Sequence, residues 1–268
     1  MTRARLAALI VAVIGLVAAP TAIGAVPKPV LLGISFPEGF SARQMVDRVA
    51  AVRRIAIAKR HVTPVLTAKS YAAALPRTAP PAEFRRFMRR KSIEGFLFPS
   101  LYKFGPADPA PRLIALQLDE FAREWKHVDL GEVSANPYQV LTIASMVERE
   151  AALPSERPLV AAVIYNRLEQ NMPLGIDATL RYGLGIQGTR PLTKAQLASD
   201  SPYNTRRFTG LPPTPIGNPG LASIQAAAHP ASVDYAYYVR IPGTVKHFFT
   251  ADYSEFCEKV VAYGYGAC

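Results

Sequence analysis

Two glutamates, Glu148 and Glu150, close an otherwise apolar helical stretch, YQVLTIASMVEREAAL, at residues 138–153. A carboxyl group set among apolar neighbours has its charged form disfavoured. Its pKa rises, and it becomes a proton donor usable near neutral pH. Carboxyl groups in such settings act on glycosidic bonds. At about 100° per residue the two side chains leave the helix about 160° apart. Glu148 stacks over Leu141, Ala144 and Ser145, and Glu150 over Ile143, Met146 and Val147. They are therefore not a pair serving one cleft, and the helical wheel leaves the choice between them open. Ordinary inverting or retaining hydrolysis needs a second carboxylate elsewhere, for which Asp177 is the candidate. The competing structural role is that of boundary glutamates, one of them paired with Arg149, Arg157 or Arg167.

The elements that position these groups are readable from caps and periodicity. Asn136-Pro137 is a helix start, an N-cap residue followed by proline at the first helical position. In the helix that begins there, Val140, Ala144 and Val147 share one side, with Thr142, Ser145 and Arg149 opposite. A second helix is expected in ERPLVAAVIYNRLEQNM and an amphipathic one carrying Ile114, Leu118, Phe121 and Trp125. Upstream, residues 30–36 are strand-prone and Pro37-Glu38-Gly39 makes a turn. Ser41 with Gln44 then forms a capping box. A short helix at residues 71–75 completes a small α/β module at residues 27–91. Residues 173–220 are loop-rich, with short helices at 177–182 and 193–197, and another lies at 222–228. YAYYVR and HFFTA, joined by IPGTVK, read as a hairpin.

Composition narrows the class. Half of the 268 residues are hydrophobic, which excludes a disordered chain. The 24 prolines cluster around residues 76–81, 106–111 and 212–219, marking long ordered loops. A net charge of +11 favours polyanionic surroundings such as an acidic cell wall or anionic lipid. No zinc-finger spacing or RNP-like motif points to nucleic acid. No His/Cys cluster suggests a metal, and no cofactor is expected. Residues 1–26 open with two arginines and continue as an apolar run from Leu6 to Val26. That is the pattern of a signal peptide or a membrane anchor, and it implies export to the periplasm or the outer face of the cytoplasmic membrane. Cys257 and Cys268 could close a small loop or stay free.

From about Ser92 onward the blocks IEGFLFPSLYKF, IASMVERE, VAAVIYNRL, MPLGIDATLRYG, SPYNTRRFTGLPPTPIGNPG, SIQAAAHPA and YYVR…HFFTADYSE occur in order. This arrangement resembles the MltG-type (YceG-like) endolytic murein transglycosylases. The resemblance implies an α+β chain: a reduced LysM-like module, then a mainly helical, lysozyme-like catalytic domain at residues 92–268 with a C-terminal β-hairpin. It implies cleavage of the β-1,4 bond between N-acetylmuramic acid and N-acetylglucosamine, leaving a 1,6-anhydro end. One glutamate serves as acid and then base, so no second carboxylate is needed. The motif's first glutamate, Glu148, takes that role, and Glu150 is structural, holding an arginine. Tyr165, Asn166, Asp177, Thr179, Tyr203, Asn204 and Thr205 are implied glycan contacts, with Arg167 structural. Gly175 stands where many relatives carry glutamine. His229 and His247 match family positions and are as readily structural. The implied partners are peptidoglycan glycan strands, glycan-polymerising synthases and, through an uncleaved leader, the membrane. The alternatives are a non-catalytic peptidoglycan-binding scaffold and a lysozyme-type muramidase that uses water.

Overall fold

Strand β1 (Leu32–Ser35) alternates Leu32 and Ile34 inward with Gly33 and Ser35 outward. After the turn at residues 37–39 the chain enters α1 (Ala42–Arg60). The expected box is present: Ser41 Oγ accepts from the Gln44 N–H, and the Gln44 side chain accepts from the Ser41 N–H. Next come α2 (Ala68–Ala74), a 3₁₀ turn at Leu75–Arg77 and α3 (Ala82–Arg85). The computed structural model describes residues 30–188 and 190–267. The leader expected at residues 1–26 therefore lies outside the described residues. Among those described, no helix is long and apolar enough to cross a membrane.

Strand β2 (Leu101–Phe104) pairs antiparallel with β1 in the register Leu32↔Phe104 and Ser35↔Leu101. The pairing ties the chain before residue 92 to the chain after it. Packing does the same: α2 lies on α4 (Ala110–Trp125), and Tyr71 Oη donates to Gln117 Oε1 at 2.5 Å. Phe84 meets Phe96, Phe121 and Trp125 edge-on at 4.9–5.6 Å between centroids. Such edge-to-face pairs add to the burial of apolar area. Ile114 and Phe121 are buried, while Leu118 and Trp125 pack on the margin of the same core.

Helix α5 (Pro137–Glu150) forms the centre of the molecule. Asn136 caps it by accepting from the Tyr138 and Gln139 N–H groups. The two-sided helix read from the sequence is not what forms: every residue from Tyr138 to Val147 except Gln139 is buried, Thr142 and Ser145 included. Their hydroxyls are satisfied locally, which removes the cost of burying them. Thr142 donates to the Tyr138 carbonyl at 2.8 Å and Ser145 to that of Thr142 at 2.7 Å. Ser145 Oγ also accepts from the Ile216 N–H at 3.0 Å, tying the proline-rich loop to the helix.

A 3₁₀ turn (Pro154–Glu156) leads into α6 (Arg157–Glu169), then α7 (Asp177–Leu184), α8 (Lys194–Leu197) and α9 (Leu221–Ala228). Helix α9 packs on both α5 and α6. The hairpin of β3 (Tyr237–Arg240) and β4 (His247–Thr250) comes next, with Tyr237 opposite Thr250. Helix α10 (Tyr253–Ala262) packs on that hairpin and was not expected from the sequence. Cys257 within it is disulfide-bonded, and Cys268 lies outside the described residues. The fold is α+β, mainly helical, with two small antiparallel sheets among the described residues.

Candidate active site

The two glutamates at the end of α5 meet different surroundings. Glu148 points at the start of α9 and accepts from the Gly220 N–H through Oε2 at 3.0 Å. Its Oε1 lies 4.0 Å from the Arg157 guanidinium, and the side chain is 9% exposed. Gly39 and Gly220 both back onto this place. A side chain at Gly39 would press on the Glu148 Cγ, and one at Gly220 would collide with the Glu38 carboxylate. Glu38 has its pKa raised by burial and then by Glu148, with Arg157 opposing. Glu148 thus has a backbone N–H bonded to one oxygen and a cation 4.0 Å from the other.

Glu150 is partly buried and faces the hairpin. Tyr238 Oη donates to its Oε2 at 3.0 Å. Its Oε1 has no hydrogen-bond partner among the described residues. Burial pushes its pKa up, and Asp177 adds to the rise. The Tyr238 bond, His247 and Arg149 oppose it. The expected arginine partner is replaced by the tyrosine hydroxyl. Around the pair, Arg206 Nε binds Asp177 at 2.6 Å, both half-exposed, and His247 stands edge-on to Tyr238 at 5.4 Å. His247 is itself fixed: its Nδ1 lies 2.7 Å from Glu156 Oε2, and its N–H donates to Glu156 Oε1.

The other sequence-derived site residues divide into two groups. Tyr165, Asn166, Arg167, Thr179, Asn204 and Thr205 each hydrogen-bond to the protein itself. Tyr165 Oη donates to the Ala227 carbonyl at 2.9 Å, and Asn166 Nδ2 to those of Val233 and Tyr235. Asn204, fully buried, donates to the carbonyls of Leu197 and Ser199. Thr179 and Thr205 share a 2.9 Å contact between their hydroxyls, and Thr205 Oγ1 accepts from the Ile176 N–H. Arg167 makes no ion pair among the described residues. It donates to the carbonyls of Ala236, Pro173 and Leu174 and lies over the Tyr237 ring. These residues brace the loops that carry the site. Asp177 stays on the surface beside Glu150. Tyr203 is half-buried, bonds Thr214 at 2.8 Å and meets the Tyr182 ring edge-on.

At Gly175, φ is +70°, and a Cβ would sit 3.1 Å from the Arg167 guanidinium. A left-handed backbone costs a residue with a side chain about 1–2 kcal/mol. Glutamine there would be strained and would crowd the arginine brace.

Sequence reading missed Glu94. It is 4% exposed, yet fully engaged. Its carboxylate accepts from the Ala42 N–H at 2.9 and 3.2 Å, from Tyr182 Oη at 3.0 Å and from Asn218 Nδ2 at 2.8 Å. Burial dominates over these bonds and over Arg43, raising its pKa from 4.5 to about 7. Because the folded value is the higher one, folding binds this proton. The stabilisation is full below pH 4.5 and is lost as the pH climbs through about 7. Thermal melts across that window should show a loss on the order of 3 kcal/mol. In Glu94→Gln this part of the slope should disappear.

Comparison with known proteins gives a consistent likeness. The model of the YceG-like family matches residues 17–262. An endolytic murein transglycosylase of Bacillus subtilis (strain 168) is 39% identical over 150 residues, covering 55% of this chain and 41% of that protein. One from Streptococcus pneumoniae (serotype 2) is 27% identical over 233 residues, covering 79% of this chain and 41% of that one. The chain thus spans about two-fifths of the length of these relatives. The crystal structure of a yceG-like protein from Listeria monocytogenes aligns with a TM-score of 0.66 at 29% identity, over 84% of this chain and 74% of that one.

Proposed function

We propose that this chain, which belongs to the YceG-like family, is an endolytic murein transglycosylase that uses Glu150 as its acid and base. The observation that carries the assignment is the unequal treatment of the two glutamates. Glu148 has a backbone N–H on one oxygen and a guanidinium facing the other. Glu150 has one oxygen held by Tyr238, the other without a partner among the described residues, and a raised pKa. The role that the resemblance placed on Glu148 therefore moves one helix flank over.

In this reading the protonated Glu150 donates to the glycosidic oxygen as the bond from the muramyl anomeric carbon breaks. The resulting carboxylate takes the proton of the muramyl 6-hydroxyl, which closes onto that carbon. The proton count balances and no water is consumed. Tyr238 holds the carboxyl group through both steps. Asp177, with Arg206, borders the place a sugar would occupy. The proposed acid and base falls within residues 92–268. An exported location, free or anchored, belongs to the same reading. It is supported by the basic and then apolar leader at residues 1–26.

Digestion of purified murein and mass spectrometry of the fragments test the reaction. Anhydro-muramyl ends are expected. Reducing ends would assign a water-using muramidase, and intact strands would assign a binding protein.

A further inference from the structure

Three guanidinium groups from separate elements line one cavity of about 380 Å³: Arg43 from α1, Arg149 from α5 and Arg181 from α7. None of them forms an ion pair with a carboxylate among the described residues. Arg43 donates to the Gly185 carbonyl at 3.4 Å, and Arg181 to those of Gly188 and Arg190 at 3.1 and 2.5 Å. These bonds aim the side chains without neutralising them; the carboxyl groups that feel them, Glu94 for Arg43 and Glu150 for Arg149, act without direct contact. Arg149 makes no hydrogen bond to any described residue. The acid of the lining, Glu94, faces inward and is occupied by Ala42, Tyr182 and Asn218. Asp47 lies nearby, bonded to Gln187 at 3.4 Å. Tyr182 and Tyr203 supply aromatic wall.

Planar guanidinium forks match carboxylates in two-point contact, and a cavity of this size suits a short peptide portion better than a polymer. It also adjoins the candidate active site, since Arg149 and Ala178 of its lining are chain neighbours of Glu150 and Asp177. We propose that this cavity is a subsite for the carboxylates of the stem peptide that murein carries on its muramyl lactyl group. The proposal rests on murein being the substrate. It makes the protein a reader of peptide-bearing strands, with stripped glycan the poorer ligand.

Binding separates this idea from the reaction itself. Titration calorimetry of the full chain with a muramyl tripeptide is compared with the same compound whose carboxylates are amidated. The free acid should bind at least about tenfold more tightly, a factor that one well-formed charged contact supplies. Arg43→Ala with Arg181→Ala should erase the difference. Arg149→Gln, which breaks no bond to a described residue, should reduce it, and it keeps the test open if the double variant does not fold. Equal affinity for acid and amide in the wild type overturns the subsite. So does displacement of the tripeptide by glycerol phosphate at equal concentration, which would mark a phosphate site. Selective binding without any strand cleavage would leave the subsite standing and remove the proposed reaction.

Discussion

Glu150→Gln is expected to lower murein cleavage by at least about a thousandfold, because one side chain serves both proton transfers and each contributes about 10²–10⁴. The variant should stay folded, since an amide oxygen can still accept from Tyr238 Oη, now held at 3.0 Å. Glu148→Gln should behave differently. It keeps an acceptor for the Gly220 N–H but drops the charge that faces Arg157. The bond from the Gly220 N–H loses its charge assistance, a difference of about 1 kcal/mol between charged and neutral hydrogen bonds, so a loss of about 1–2 kcal/mol of stability is expected, with cleavage within about tenfold of wild type. Fragment yield by mass spectrometry and a thermal melt read both variants. A Glu148→Gln variant that cleaves no murein yet melts unchanged would return the role to Glu148.

Asn218→Ala should cost about 3–5 kcal/mol, the largest stability loss of any single substitution considered. Asn218 is fully buried and has all four hydrogen-bonding positions filled. Its Oδ1 accepts from the Gly95 and Leu97 N–H groups, each at 2.9 Å. Its Nδ2 donates to the Phe40 carbonyl and to Glu94 Oε1, each at 2.8 Å. Alanine leaves two donors, one carbonyl and one carboxylate without these partners. Each orphaned buried group costs about 1–3 kcal/mol, reduced where relaxation admits water. Chemical denaturation measures the loss. A change under about 1 kcal/mol would mean that the loops hold together by apolar packing alone.

Much of this architecture was legible because its signals are local. The box at Ser41, the cap at Asn136, the proline at position 137, the stripe on α4 and the hairpin all declare themselves within a few residues. Helix α10 had a comparable signal, Asp252 accepting from the Glu255 N–H, and it went unread. The site was less legible because its chemistry depends on partners far along the chain. Thr142 and Ser145 share a helix side with Arg149 in the sequence, and nothing local shows that Ser145 is buried to serve a backbone N–H 71 positions away. Glu94 sat in an aromatic run with nothing nearby to show that it would be buried. Asn204, Thr179 and Thr205 have the polar chemistry of ligand contacts, and only tertiary structure shows that backbone groups use it. The resemblance points to one helix, α5. Which flank of it faces a cleft depends on Arg157, Gly220 and Tyr238, none of them on that helix.

The contacts between residues 39–40 and Asn218 have a consequence for how the molecule comes into being. The Phe40 bond spans 178 positions, and closing so long a loop precedes any reward from the contact. Contacts of such separation form late and slow folding. Tyr238, which holds Glu150, lies later still in the chain. A nascent or half-folded molecule can build α5 and carry both glutamates, yet it lacks the cavity wall and the tyrosine. On the proposed reading, lytic potential therefore switches on as an all-or-none property of the finished fold.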